Sequence, residues 1–179
     1  RFTFSFTGEH FFPDALNMFL AVALLEEMTK GLPVLIIGYR YAKKRATLLT
    51  PISAMVLAGA SAAAFSYLEN MMVYVNSTKP QIADLVTMFM RVSLHMSGHI
   101  SYSCIFGFFI GLCFQYQNFF LLLPGLFIAA VLHSLWNTFL VHFPPAAFAV
   151  AVISLLLLVS CIIRARQLEF QPKPLLSME

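Results

Sequence analysis

Charge is what this sequence has least of. Only 11% of its 179 residues are Asp, Glu, Lys or Arg, where a soluble domain carries about 25%. None stands between Arg45 and Glu69, and none between Arg91 and Arg164. With 60% hydrophobic residues and a mean hydropathy of +0.82, this excludes a disordered tail, an ordinary soluble enzyme and a nucleic-acid binder. A net charge of +3 is too small to imply an acidic partner. Cysteine is scarce and odd in number. Cys104, Cys113 and Cys161 all lie in apolar stretches, which reads as unpaired thiols acting as small hydrophobes. No internal repeat and no soluble domain is visible, and the missing repeat weighs against a transporter. Nor is there a signal peptide, because Phe2 to Phe6 alternates with polar residues instead of forming an unbroken apolar run. The chain opens on Arg1, so its numbering is expected to begin inside a longer product.

Long apolar runs are what remain. A bilayer-crossing helix needs about 20 mostly apolar residues, and the uncharged run after Arg91 has room for three. The expectation is an all-α, polytopic membrane helix bundle of about five spans around a four-helix core. The first span runs from Pro13-Asp14 to about Tyr39. The second starts at Thr50-Pro51, a good N-cap followed by the residue preferred at the first helical position, and ends near Val75. The third begins after Pro80 and ends near Tyr116, too long for one perpendicular crossing, so Gln81 to Arg91 is expected at the interface. The fourth runs from Asn118 to His142, before a Pro144-Pro145 break, and the fifth from about Ala146 to Ile163. Basic residues cluster after span one (Arg40, Lys43, Lys44, Arg45) and after span five (Arg164, Arg166). With five spans both clusters share a side, which should be the cytoplasm. Residues 1–13 then form an extracytoplasmic start, 14–163 the transmembrane domain and 164–179 a cytoplasmic tail.

Ionisable residues inside spans are costly and mark function unless they are paired. Span one carries Glu26, Glu27 and Lys30, with lysine three or four residues from either carboxylate. One lysine leaves at least one carboxylate underneutralised, which suits a general base. Span two carries Phe65, Glu69 and Asn70 behind a small-residue stripe, Ala54, Ala58 and Ala62, that lets another helix approach closely. Span three carries Arg91, His95 and His99 at four-residue steps, continued by Ser103, Gly107 and Gly111, the two glycines reading as packing residues. Span four places His133 and Asn137 one turn apart. At 1.5 Å per residue, Glu26 lies roughly 18 Å from Asp14, Glu69 roughly 9 Å from Val75, His99 roughly 12 Å from Arg91 and His133 roughly 13 Å from His142. All four reference ends face outward in this topology. Four antiparallel helices thus bring the ionisable groups to one level in the outer half of the membrane.

In that order, Glu26-Glu27-x-x-Lys30, Phe65-x-x-x-Glu69-Asn70, His99 ahead of Gly107, and His133-x-x-x-Asn137 resemble the PrsW intramembrane proteases. These are distantly similar to the CAAX prenyl proteases, which favour arginine after the glutamate pair and histidine in place of Glu69. The resemblance spans about residues 26 to 137, and His95 stands outside its pattern. It implies an intramembrane endopeptidase, acting on membrane-anchored proteins of the anti-sigma-factor kind, in the plasma (inner) membrane. Amide hydrolysis needs an activated water, oxyanion stabilisation and a proton for the leaving amine. Glu26 or Glu27 is the expected base, His99 and His133 bind either a metal or the water and oxyanion, and Asn137 is an oxyanion or orienting donor. Glu69 either completes a zinc set with His99 and His133 or is a partner that fixes a histidine tautomer. A metal-free glutamate mechanism uses the same residues, with Lys30, Asn70, His95 and Arg91 in support. The alternative is a non-catalytic scaffold subunit that binds transmembrane helices with the same fold.

Overall fold

A computed structural model describes residues 10–43, 49–76, 89 and 91–169. Residues 1–9, Lys44 and Arg45 of the basic loop, Ser77 to Pro80, the expected interfacial stretch 81–88 and the tail from Phe170 lie outside the described residues, as does the side chain of Arg91.

Helix α1 (Phe11–Asn17) passes through a π-helical turn (Met18–Ala23) straight into α2 (Leu24–Lys43). α3 spans Pro51–Asn76. A second π-helical turn, Arg91–His95, leads into α4 (Met96–Tyr116). A 3-10 turn (Phe119–Leu121) opens α5 (Leu122–His142), and α6 covers Pro144–Glu169. Among the described residues there is no strand.

The helix ends follow from local chemistry. Thr50 Oγ1 accepts the Ser53 N–H at 3.2 Å, capping α3, whose first residue, Pro51, has no N–H to leave unsatisfied. α4 closes on Gln117 in the left-handed region (φ 53°), the turn that lets a following N–H reach back to an orphan carbonyl. Asn118 then accepts the Phe120 N–H at 3.0 Å. The Pro144-Pro145 pair does less than expected as a break. Only Phe143 is non-helical there, and the prolines form the first turn of α6, where their missing N–H groups cost nothing. α6 also runs past Ile163 through both arginines to Glu169.

Four helices are long and apolar enough to cross a membrane: Pro51–Met72, Val92–Tyr116, Phe119–His142 and Pro144–Glu169. The fifth expected span, α1–α2, is of comparable length but carries Glu26, Glu27 and Lys30 mid-helix. Its outer face is nonetheless apolar, with Leu16, Leu20, Leu25, Met28, Leu32 and Ile36 exposed, while Glu27 and Lys30 point inward and are buried. Its charges face the bundle, not lipid.

The tightest seam joins α3 to α4. Ala54, Ala58 and Ala62 are fully buried, and a Cβ added to Gly107 would lie 2.7 Å from Ala58 Cβ and 2.8 Å from the Ala54 carbonyl oxygen. A Cβ on Gly111 would strike the backbone of Pro51. Small residues on both sides draw the two backbones together, as the stripe predicts. Cys104 and Cys113 are buried and all three cysteines are free thiols, as expected. α6 is peripheral, its most apolar stretch only 17% buried, and it docks through Ala147, Val150, Ser154, Ala165 and Leu168. Thr50 Oγ1 lies 3.1 Å from Glu169 Oε1, so the start of α3 and the end of α6 share one face of the bundle. At the opposite face His142 Nε2 meets Asp14 Oδ2 at 3.0 Å.

Candidate active site

The polar side chains of α2, α3, α4 and α5 converge, as their common depth predicts. Lys30 is at the centre, its side chain fully buried. An ammonium has three N–H donors, and here it meets three acceptors: Glu27 Oε1 at 2.8 Å, Glu26 Oε2 at 3.2 Å and His99 Nδ1 at 2.6 Å. It also sits 4.7 Å from the centre of the Phe65 ring, which stacks on His99.

The two adjacent glutamates have different surroundings. Glu27 is fully buried and its oxygens are engaged: Oε1 accepts from Lys30 and from His133 Nδ1 (3.0 Å), and Oε2 from the Ser103 hydroxyl (2.7 Å). Glu26 is 20% exposed, and its Oε2 faces His133 Nε2 at 3.8 Å and His99 Nδ1 at 3.9 Å besides Lys30. Position on the helix decides this. Glu27 points between α4 and α5, where it meets Ser103 and His133, whereas Glu26, one residue back, lies at the partly exposed edge of the cluster.

These contacts set the imidazole tautomers. A carboxylate only accepts, so His133 donates through Nδ1 and keeps a lone pair on Nε2, a buried atom without a hydrogen-bond partner among the described residues. His99 accepts from Lys30 on Nδ1, so its Nε2 carries the proton. That Nε2 lies 3.3 Å from His95 Nε2 and 3.4 Å from Glu69 Oε2. Tyr102 stacks on His133 at 5.6 Å and fixes the ring plane from the far side.

Glu26, Glu27, Lys30, Glu69, His95, His99 and His133 therefore form one connected cluster. The expected zinc trio is divided. Glu69 groups with His95 and His99, and His133 groups with Glu26 and His99, each trio holding its ligand atoms within 4.8 Å of one another. Asn70 is buried on α3 beside Glu69. Asn137 is half-buried one turn beyond His133, and no hydrogen bond joins its side chain to the cluster among the described residues. Arg91 contributes only backbone to the description. Ser103 and Tyr102 were given no role from sequence. The four-residue step from His99 to Ser103 was the available signal for the first, and nothing marked the second.

A bundle of apolar helices that gathers carboxylates, imidazoles and one ammonium between them is the architecture of an integral membrane protein. The family described as PrsW family intramembrane metalloprotease matches residues 2–163, and with that the chain belongs to the PrsW family. No curated protein and no solved structure matches it.

Proposed function

We propose that the chain is an intramembrane endopeptidase in which Glu26 activates the attacking water and Glu27 organises the site. The observation that carries this reading is the division between the two carboxylates. Glu27 is fully buried with both oxygens engaged, while Glu26 is partly exposed and faces a second acceptor, His133 Nε2, across 3.8 Å. A water entering that gap can donate to both, which turns its oxygen lone pair outward to the scissile carbonyl carbon. As the C–O bond forms, Glu26 takes the water's proton. It returns that proton to the amide nitrogen as the C–N bond breaks, the ordinary acid–base cycle of peptide hydrolysis. Asn137, one turn beyond His133 on α5, is the oxyanion donor in this reading. Lys30 ties α2 to α4 through His99 and hydrogen-bonds both glutamates.

The family's description implies a metal, and the cluster has the donor chemistry for one: two imidazoles and a carboxylate with a position to spare. Glu69, His95 and His99 would hold it. Bound there, a divalent cation would act as a Lewis acid and an acidifier of water.

The substrate class is a membrane-anchored protein, anti-sigma-factor-like by the family resemblance, cut in the outer half of the bilayer of the plasma (inner) membrane. Domain 14–163 carries the activity, α6 continues from it to Glu169, and the segment beyond is the cytoplasmic tail. The shared face of the α3 start and the α6 end supports this topology, because it puts Arg40 and Lys43 on the same side as Arg164 and Arg166. A reporter fused after Arg166 should be cytoplasmic and one placed within residues 77–79 external. The opposite labelling would move the site to the inner leaflet.

The activity is tested in reconstituted vesicles with a co-inserted single-pass protein. Wild-type chain should shorten it, and the Glu26→Gln/Glu27→Gln double variant should not. Cleavage by the double variant at the wild-type rate would remove the protease reading. Tight capture of the single-pass protein with no cleavage by either would favour the scaffold.

A further inference from the structure

We propose that Glu69, His95 and His99 form the binding site for a single zinc-class divalent cation, and that neither His133 nor Glu26 is among its ligands. This deepens the reading above by placing the metal, and it rests on that reading only in taking the cluster as the reaction centre.

The spacing of the donors is the first argument. Tetrahedral zinc with nitrogen and oxygen ligands at about 2.0–2.1 Å puts neighbouring donors about 3.3 Å apart. His95 Nε2 and His99 Nε2 are 3.3 Å apart, and His99 Nε2 and Glu69 Oε2 are 3.4 Å apart. The other trio is wider, with Glu26 Oε2 at 3.8 Å from His133 Nε2 and 3.9 Å from His99 Nδ1. Two histidines four residues apart on one helix face are also a spacing that supplies two ligands to one zinc ion.

Charge is the second argument. In the Glu26–His99–His133 trio, Glu26 Oε2 and His99 Nδ1 already accept from the Lys30 ammonium at 3.2 and 2.6 Å. A dication placed among them would lie against a fixed positive charge with two of its three donors taken. The Glu69 trio uses the opposite nitrogen of His99, Nε2, and not the Nδ1 that accepts from Lys30. The Glu69 side chain is 29% exposed, so the trio lies at an accessible edge of the cluster.

A tautomer shift follows. Coordination needs the lone pair of His99 Nε2, so the ring proton moves to Nδ1. That N–H cannot face the Lys30 ammonium, now 2.6 Å away, so Lys30 would release His99 and Glu26, 3.9 Å away, would close on Nδ1 to make a carboxylate–histidine–metal relay. Lys30 keeps both glutamates. Glu26 thus senses the cation through the His99 ring without touching it.

The test is metal binding by the full chain in detergent, stripped with a chelator and titrated with Co²⁺ and Zn²⁺ in the absence of substrate. One ion per chain, with the intense visible bands of four-coordinate Co²⁺, is expected. Glu26→Gln and His133→Ala should still bind it. His95→Ala and Glu69→Gln should bind at least tenfold more weakly. Should His95→Ala fail to fold, His95→Cys keeps a zinc-competent donor and should add a thiolate-to-cobalt charge-transfer band. Loss of the ion in His133→Ala with full retention in His95→Ala would overturn the proposal in favour of the other trio. So would the absence of stoichiometric binding to the wild type. Because binding is read without turnover, a chain that binds the ion but cleaves nothing would remove the protease reading and leave the site standing.

Discussion

Glu26→Gln should lower cleavage by about 10²- to 10⁴-fold, the range expected for removing a general base, while membrane yield and thermal stability stay near wild type. The amide oxygen can still accept from Lys30, so one hydrogen bond is preserved and only basicity is lost. Glu27→Gln should behave differently. Its amide oxygen would still accept from Lys30 and His133, and its NH₂ can donate to the Ser103 oxygen. The buried Lys30 ammonium nonetheless loses its fully buried counter-charge, and removing one partner of a buried pair costs about 3–5 kcal/mol. Glu27→Gln should therefore lose stability and activity together. Single-turnover rates per folded molecule, measured beside melting in the same detergent, separate the two. Were Glu27→Gln the stable, inactive variant and Glu26→Gln the destabilised one, the assignment of base and organiser would be reversed.

Lys30→Met should have the largest effect on the fold. The methionine fills similar volume, so packing changes little, but Glu26 and Glu27 lose their shared counter-charge in a site where Glu27 is fully buried. Breaking a buried pair by removing one partner costs about 3–5 kcal/mol, enough to leave much of the chain misassembled. Adding Glu27→Gln to Lys30→Met should recover part of that loss, since it removes one of the two stranded charges. Lys30→Met protein that melts like the wild type would show that the ammonium does not hold the helices together.

How much of this was legible in the sequence varies by element. Thr50-Pro51 announced the start of α3 through capping chemistry that acts within one turn, and it held. The alanine stripe of α3 and Gly107 and Gly111 of α4 announced the closest seam because a missing side chain is itself the packing instruction. Equal depth for Glu26, Glu69, His99 and His133 came from rise per residue alone, and the structure gathers all four. Azimuth was the illegible part. The π-helical turns at Met18–Ala23 and Arg91–His95 each stand directly before a site segment, where such turns tend to occur. They change the phase with which the following residues face their neighbours, and no residue pattern records them. A counting argument at a constant 3.6 residues per turn thus could not tell which glutamate points inward, nor that Glu69 groups with His95 as well as His99. The Asp14–His142 contact escaped for a related reason, since its partners are 128 residues apart and each looked like an interfacial residue.

The three-way grip of Lys30 also bears on how the chain matures in the membrane. Its acceptors come from two helices, α2 and α4, and Glu27 ties in a third, α5, through His133. Until α4 and α5 have been inserted and docked, α2 presents two carboxylates and a lysine to lipid, an arrangement that membrane quality control can recognise and that no catalyst can use. The hydrogen bonds that close the bundle, Lys30 to His99 and Glu27 to Ser103 and His133, also fix the lysine that holds Glu26 within α2, so in the reading proposed above assembly and activation would coincide.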